Sequence, residues 1–343
     1  MRKAQDIIRT RDPELSTFND RLDADLESLR RISVLSTAIE TGILSHLQEP
    51  KEIQTLSEET GYDFIILELF LEALSQMGTI EHVSEGYVIS SFTRSYLIKD
   101  SPFDQTTHIL NMLRRVSDWK DLSNILKNGP VKKDRSSKFN KDWMEGIAQS
   151  SMDGQIGELI TLCAEHIDLK SCKRFLDLGG GHGLYSIAFS ALYPNLECTV
   201  FDLPSIIDFT NANIQDYDSS VNTIAGDYFS DKIPMNQDII LSSFSRCGSD
   251  PEMIVKIRDA LSDYGFLIIR RHRGLVSENP LENLEWNLAT IEGRKKGTKK
   301  WEFGTSPAVE EYLEALKVNG FSILRHQIFD SISEVIIARK EDK

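Results

Sequence analysis

From Lys173 onward the sequence breaks into short β-rich runs with stretches between them long enough for helices: RFLDLGGG, ECTVFDLP, VNTIAGDYF, DIILSSFS, GFLIIRRH, FSILRHQIF and SEVIIARK. Strands that alternate with helices of about 10 to 15 residues build βαβ units and a parallel sheet with helices on its faces. Only Asp330 to Ile332 separate the last two runs. No helix fits there, so that pair must be antiparallel. The expected fold class is α/β, a Rossmann-like sheet of seven strands over residues 171–343.

FLDLGGGHG, Phe175 to Gly183, is an apolar strand that runs into a glycine-rich turn before the helix of YSIAFSALY. Open α/β sheets bind ligands at the carboxyl ends of their strands, where glycines allow close backbone approach and a helix N-terminus offers free N–H groups. A dinucleotide fingerprint would need glycine at 184, after Gly179 and Gly181, but Leu184 stands there. Asp177 precedes the turn, where a carboxylate suits a cationic amino-acid moiety better than a pyrophosphate. Asp202 and Leu203 close the next strand, and that carboxylate can accept ribose hydroxyls from either cofactor class. Gly226, Asp227 and Tyr228 in AGDYF then offer a carboxylate for adenine and an aromatic wall. Together these favour S-adenosylmethionine (SAM). The competing readings are a tight turn without ligand and, for Asp202 alone, a helix N-cap.

The N-terminal part has a different pattern. Leu22, Leu26, Leu29, Ile32, Leu35, Ile39 and Ile43 recur at spacings of three and four, which predicts one long amphipathic helix over Leu22 to Leu47. TLSEETGYDFIILELFLEALSQMGTIEH reads as helix, turn, helix, with Ser57 as N-cap, Gly61 as the turn, and Ile65, Leu69, Leu71 and Leu74 as the packed face. Gly86 to Ser90 reads as a strand of a wing. A winged helix invites a DNA-binding reading, yet Ser45 to His82 holds Lys51 as its one Lys or Arg among acidic residues. Phosphate contact needs the opposite sign. Residues 101–170 read as a further helical segment linking the halves.

With 343 residues the chain exceeds one ordinary core, and two domains are expected. A net charge of −14 opposes nucleic acid and anionic membrane as partners. No stretch reaches the ~18 apolar residues of a membrane helix, and the charged N-terminus lacks a secretory pattern. Cys163, Cys172, Cys198 and Cys247 form no CxxC pair, so they are expected to be reduced and buried in a cytoplasmic protein, with no metal site.

Taken together, FLDLGGGHG, VFDLP, AGDYF, WKDLSNILKNG, FNKDWMEGIAQSS, the helix-turn-helix run and the terminal KVNGF resemble the small-molecule O-methyltransferases with a winged-helix dimerisation domain. These include plant caffeate-type and bacterial polyketide-tailoring enzymes. The resemblance covers nearly the whole chain. It implies SAM contacts at Gly179, Gly181, Asp202, Asp227 and Tyr228, a homodimer, and domains over 1–100 (dimerisation), 101–170 (helical link and substrate lid) and 171–343 (catalysis).

The resemblance fails at the catalytic pair. The family carries a Lys after the fourth strand and then a Leu-His-Asp-Trp segment whose His is the general base, but DIILSSFSRCGSDPEM has no His. Alignment leaves Arg246 or Cys247 at the base position and Ser242 or Ser243 where the Lys would be. The segment whose Glu supports the base appears as Gly293-Arg294-Lys295-Lys296. Displacement at a sulfonium methyl depends chiefly on an in-line nucleophile, so loss of the base is compatible with a pre-ionised or carbanionic acceptor. Arg246, Arg270, Arg271, His272, Arg273, Arg294, Lys295, Lys296, Lys299 and Lys300 either select an anionic, planar acceptor or form a solvated loop face. His272 is a candidate displaced base. His182 reads as a helix-start residue beside the cofactor. Trp143, Met144 and Trp286 either line an acceptor pocket or belong to the core. Two other functions stay open: hydroxylation or decarboxylation on the same fold, and a non-enzymatic winged-helix regulator.

Overall fold

Asp12 opens the first helix, α1 (Pro13–Glu40), by accepting the Glu14 and Leu15 N–H groups, with Pro13 where its missing N–H costs nothing. The stripe from Leu22 to Leu47 does not stay on one helix. After Thr41, Gly42 turns left-handed at φ +68 and Ile43–Leu47 continues as a 3-10 turn. α2 (Ile53–Thr60) and α3 (Phe64–Gln76) meet at the expected left-handed Gly61. Ser57 is not the cap: it lies inside α2 and donates to Tyr62 O, while Asp63 accepts the Ile66 N–H and caps α3. Helical structure restarts only after Gly61, and Asp63 is the residue placed to start it. The packed face also differs, because Leu67, Leu71 and Leu74 are buried whereas Ile65 and Leu69 are 65% and 57% exposed. β1 (Ile80–Val83) and β2 (Gly86–Ile89) form the expected hairpin.

The structure, a computed structural model, describes residues 12–133, 140–273, 280–291 and 308–341. They fall into two units, Met1–Arg114 and Arg115–Lys343. The first has its own core of Ala38, Ile43, Leu44, Leu47, Leu56 and the three α3 leucines, closed by Ile80 and Ile89. Among the described residues no helix is long and apolar enough to cross a membrane.

In the second unit β3 (Val131–Lys133) is followed by helices Lys141–Ser151 and Gln155–His166. The glycine motif and its successors then supply β4 (Arg174–Leu178), β5 (Glu197–Asp202), β6 (Asn222–Ala225), β7 (Gln237–Ser243) and β8 (Leu261–His272). After β9 (Ala289–Ile291), which pairs in parallel with β3, come β10 (Phe321–Ile328) and β11 (Ser333–Lys340). Seven of these form one sheet in the order β10-β11-β8-β7-β4-β5-β6. β6 to β8 are parallel throughout, and β11 runs antiparallel to both its neighbours. Both faces are covered, so successive residues bury on opposite sides. Phe175, Ile239, Leu241 and Ile268 join helices Gln155–His166 and Leu184–Leu192, while Leu176, Ile240, Leu267 and Ile269 join Ile254–Ala260 and Val309–Val318. That explains runs without alternation.

Candidate active site

Gly179 starts the turn after β4 at φ +76, and its N–H donates to Phe201 O of β5 at 2.8 Å. A Cβ here would lie 2.3 Å from Ser245 Oγ and 3.3 Å from the Tyr228 ring. Only glycine lets three strand ends converge so closely. Gly181 N–H donates to Asp202 Oδ2 at 2.8 Å and Leu203 N–H to Asp202 Oδ1 at 2.7 Å. The carboxylate is therefore aimed by backbone and still has free lone pairs. Burial raises the Asp202 pKa, and the two N–H donors oppose that. Gly226 N–H donates to Asp202 O at 2.8 Å, which draws the AGDYF segment alongside. Half-buried Asp227 accepts the Phe229 N–H at 2.9 Å.

Asp177 lies beneath this turn, 1% exposed, and a Cβ on Gly180 would meet its carboxyl carbon at 2.5 Å. Oδ2 accepts from Ser186 Oγ at 3.2 Å, and buried Oδ1 has no partner among the described residues. Burial pushes the Asp177 carboxyl up to about 7; the Ser186 bond opposes this and the Asp202 charge adds to it. Helix Lys141–Ser151 lies over the turn: Met144 Cε would be 3.2 Å from a Cβ on Gly181, and Ser151 Oγ is 3.3 Å from His182 Nε2. His182 Nδ1 accepts the Leu184 N–H, and burial lowers its pKa to about 4, so it is a neutral helix-start residue. An acidic, glycine-lined turn with an unpaired buried carboxylate oxygen fits a cationic cofactor carrying hydroxyl donors. It opposes a pyrophosphate.

The ends of β7 and β8 form a second cluster. Cys247 is fully buried, with Sγ 3.1 Å from Ser245 Oγ, 3.4 Å from Ser242 Oγ and 3.5 Å from Leu178 O. Burial pushes its thiol up to about 11. At neutral pH it is neither thiolate nor base. Arg246 is exposed, with its guanidinium 5.3 Å from the Phe229 ring centroid. Ser243, the last residue of β7, is half-buried. His272 is half-buried with its ring 4.5 Å from that of Phe244, and burial, then Arg270, lowers its pKa.

The basic cluster at the end of β8 is neither a solvated face nor a free anion site at its first two members. Arg270 and Arg271 are each 2% exposed. Arg270 donates to Asp330 Oδ2 and Tyr185 Oη at 2.6 Å, to Ser333 Oγ at 3.1 Å and to Gln155 Oε1. Arg271 pairs with Glu334 at 3.4 Å and lies over the Tyr312 ring. The cause is β11, which packs antiparallel against β8 and brings acidic partners to both arginines. Arg294, Lys295, Lys296, Lys299 and Lys300 lie outside the described residues.

Residues 131–302 match the O-methyltransferase domain family. The chain is also 33% identical over 333 residues to an uncharacterized protein of Methanocaldococcus jannaschii, which covers 93% of this chain and 88% of that one. The chain belongs to the O-methyltransferase family. It is therefore a SAM-dependent methyltransferase. A further relative, 25% identical over 254 residues covering 70% of this chain and 73% of its own, is the 3-hydroxy-5-methyl-1-naphthoate 3-O-methyltransferase of Streptomyces sahachiroi. In fold the methyltransferase is similar to human N-acetylserotonin methyltransferase in complex with SAM, with TM-score 0.71 at 18% identity and coverage of 97% and 99%.

In this methyltransferase Gly179, Gly181, Asp202, Leu203, Gly226, Asp227 and Tyr228 meet at one turn, with Met144 against it. Trp143 is half-buried, its backbone N–H held by Asn140. Trp286 lies in helix Pro280–Asn287, with its side chain outside the described residues. Arg246 and His272 stand at the ends of neighbouring strands, away from the Asp202 carboxylate's own bonds. Nothing in the sequence pattern singled out Phe244 or Ser245, whose only signal was their place just past β7.

Proposed function

We propose that the methyltransferase passes the methyl group of SAM to a small planar metabolite whose accepting atom is already nucleophilic, without a histidine base. The observation that supports this is Cys247, which aligns near the family's base position and is a buried thiol with a pKa of about 11. A phenol of pKa ~10 needs a base, whereas a carboxylate, an enolate, a stabilised carbanion or an amine does not. SAM supplies an electrophilic methyl. Asp202 would take its ribose hydroxyls, Asp227 and Tyr228 its adenine, and Gly179, Gly181, Leu203, Gly226 and Ser243 would line the rest.

Arg246, exposed beside this cluster, supports an anionic acceptor, and the Streptomyces relative is named for a planar naphthoate, methylated at its 3-hydroxyl. Met144 and Trp143 would line the acceptor space. The proposal extends to a homodimer built on residues 1–100, with 101–170 as link and lid and 171–343 as the catalytic domain. Leu15, Phe18, Leu22, Leu26, Leu29 and Ile32, all at least 39% exposed along α1, support that assembly. The described cysteines are all free and buried, which supports a reducing, cytoplasmic setting.

Calorimetry tests the cofactor: SAM should bind with micromolar affinity, and tight NAD binding without SAM binding overturns the reading. With an acceptor in hand, His272→Ala should keep most of its turnover. Loss of turnover together with a pH limb near ~6.5 would restore a histidine base.

A further inference from the structure

Phe244 is a large aromatic residue at φ +51, immediately after the last residue of β7. Bulky side chains are outliers in that region, and such strain persists only where the surroundings over-determine it. Here they do. Its N–H donates to Arg270 O at 2.7 Å, its ring packs 4.5 Å from His272, and the Arg270 guanidinium lies 4.7 Å from its centroid. A second ring, Phe329, lies 4.7 Å from the same guanidinium. Four hydrogen-bonding partners fix Arg270, so its charge cannot swing away. The reversal at Phe244 brings out a ring that remains 40% exposed.

The place of this ring matters. The next residue, Ser245, is the one whose Oγ crowds Gly179 in the cofactor turn, so the ring begins one residue from the cofactor site. An acceptor must come within ~3.5 Å of the transferred methyl. A cation fixed at one face of an aromatic ring draws its π electrons toward that face and leaves the opposite one electron-poor. Such a face stacks best on an electron-rich partner.

We propose that Phe244 is the stacking surface for the acceptor's ring and makes the enzyme selective for planar, electron-rich acceptors, with Arg270 holding the ring from behind. This rests on the reading of the site as a SAM-dependent methyl-transfer centre. The strained backbone then serves specificity, because a relaxed residue at 244 would not deliver a ring to this edge.

The test uses the full chain saturated with S-adenosylhomocysteine and two probes of like carbon skeleton and charge, planar 2-naphthoate and its puckered, fully saturated decahydro analogue. The wild type should bind the aromatic probe at least about tenfold more tightly. Phe244→Leu should bring the two within about twofold, and Phe244→Trp should keep the preference. S-Adenosylhomocysteine affinity, measured for each variant, reports whether its cofactor site is intact. If Phe244→Leu loses that affinity, Phe244→Met takes its place. Equal binding of the probes by the wild type, binding of neither, or an undiminished preference in an intact Leu or Met variant overturns the proposal and leaves the function standing. Failure of the wild type to bind SAM or its demethylated product overturns both.

Discussion

The ends of β4, β5 and β6 and the ends of β7 and β8 lie on one edge of one sheet, yet they are made of different material. The first group is backbone. Glycines, peptide N–H groups and two aimed carboxylates sit within a few residues of each strand, and the backbone bonds that join them link one strand end to the next, Gly181 to Asp202 across 21 residues. The second is side chain. Arg270 draws its partners from Gln155, Tyr185, Asp330 and Ser333, up to 115 residues away. A cofactor shared by many enzymes suits a local, repeatable motif, while a particular acceptor calls for a wall assembled from distant segments.

The contrast breaks if damage on one side spreads to the other, and the largest effect should come from Asp202. Asp202→Ala should cost SAM affinity about 1.5–3 kcal/mol, or about 10- to 150-fold, through lost charge-assisted hydrogen bonds. Calorimetry reads this directly, and 2-naphthoate binding to chain already holding S-adenosylhomocysteine should stay within about twofold. Arg246→Ala should do the reverse, weakening 2-naphthoate about tenfold with the cofactor's affinity unchanged. A variant that moved both affinities together would erase the division.

A smaller effect separates the two sides by pH. An acid whose folded pKa is raised opposes folding once it ionises: the penalty is absent below its ordinary 3.8, grows until about pH 7, and is constant above. Asp177→Asn removes it. The variant's melting temperature relative to wild type should therefore rise by several degrees between pH 4 and 7 and then level off. A flat difference across that range would mean that Asp177 is hydrated or paired in solution. The smallest effect belongs to Cys247. Cys247→Ser should shift neither ligand's affinity beyond about twofold, and the native thiol should resist alkylation at pH 8; rapid labelling would show a thiolate and reopen the question of a base.

The convergence of Gly179, Gly181, Asp202 and Asp227 was legible in the sequence because each sits at the end of an apolar run. The alternation of strands with helices and the antiparallel final pair followed from run spacing alone, whereas the order of strands in the sheet did not. The Ser57 cap and the Ile65–Leu69 face were misplaced, since a helix-wide apolar segment leaves its buried side ambiguous until a core is present. The basic run at Arg270 and Arg271 misled for a related reason. Local charge does not reveal that Asp330 and Glu334, some sixty residues on, arrive through β11 to neutralise it. The parallel β3–β9 pairing joins three-residue strands that carry no periodicity at all.

The position of β11 inside the sheet also sets a schedule for synthesis. Ser333, which opens β11, is made 63 residues after Arg270. At roughly 5–20 residues per second, β8 waits about 3 to 13 s as an unpaired apolar edge carrying two uncompensated arginines. Like charges on Arg270 and Arg271 repel another copy of the same edge, so two arginines that end up paired with Asp330 and Glu334 first act as a guard against nascent chains pairing with one another.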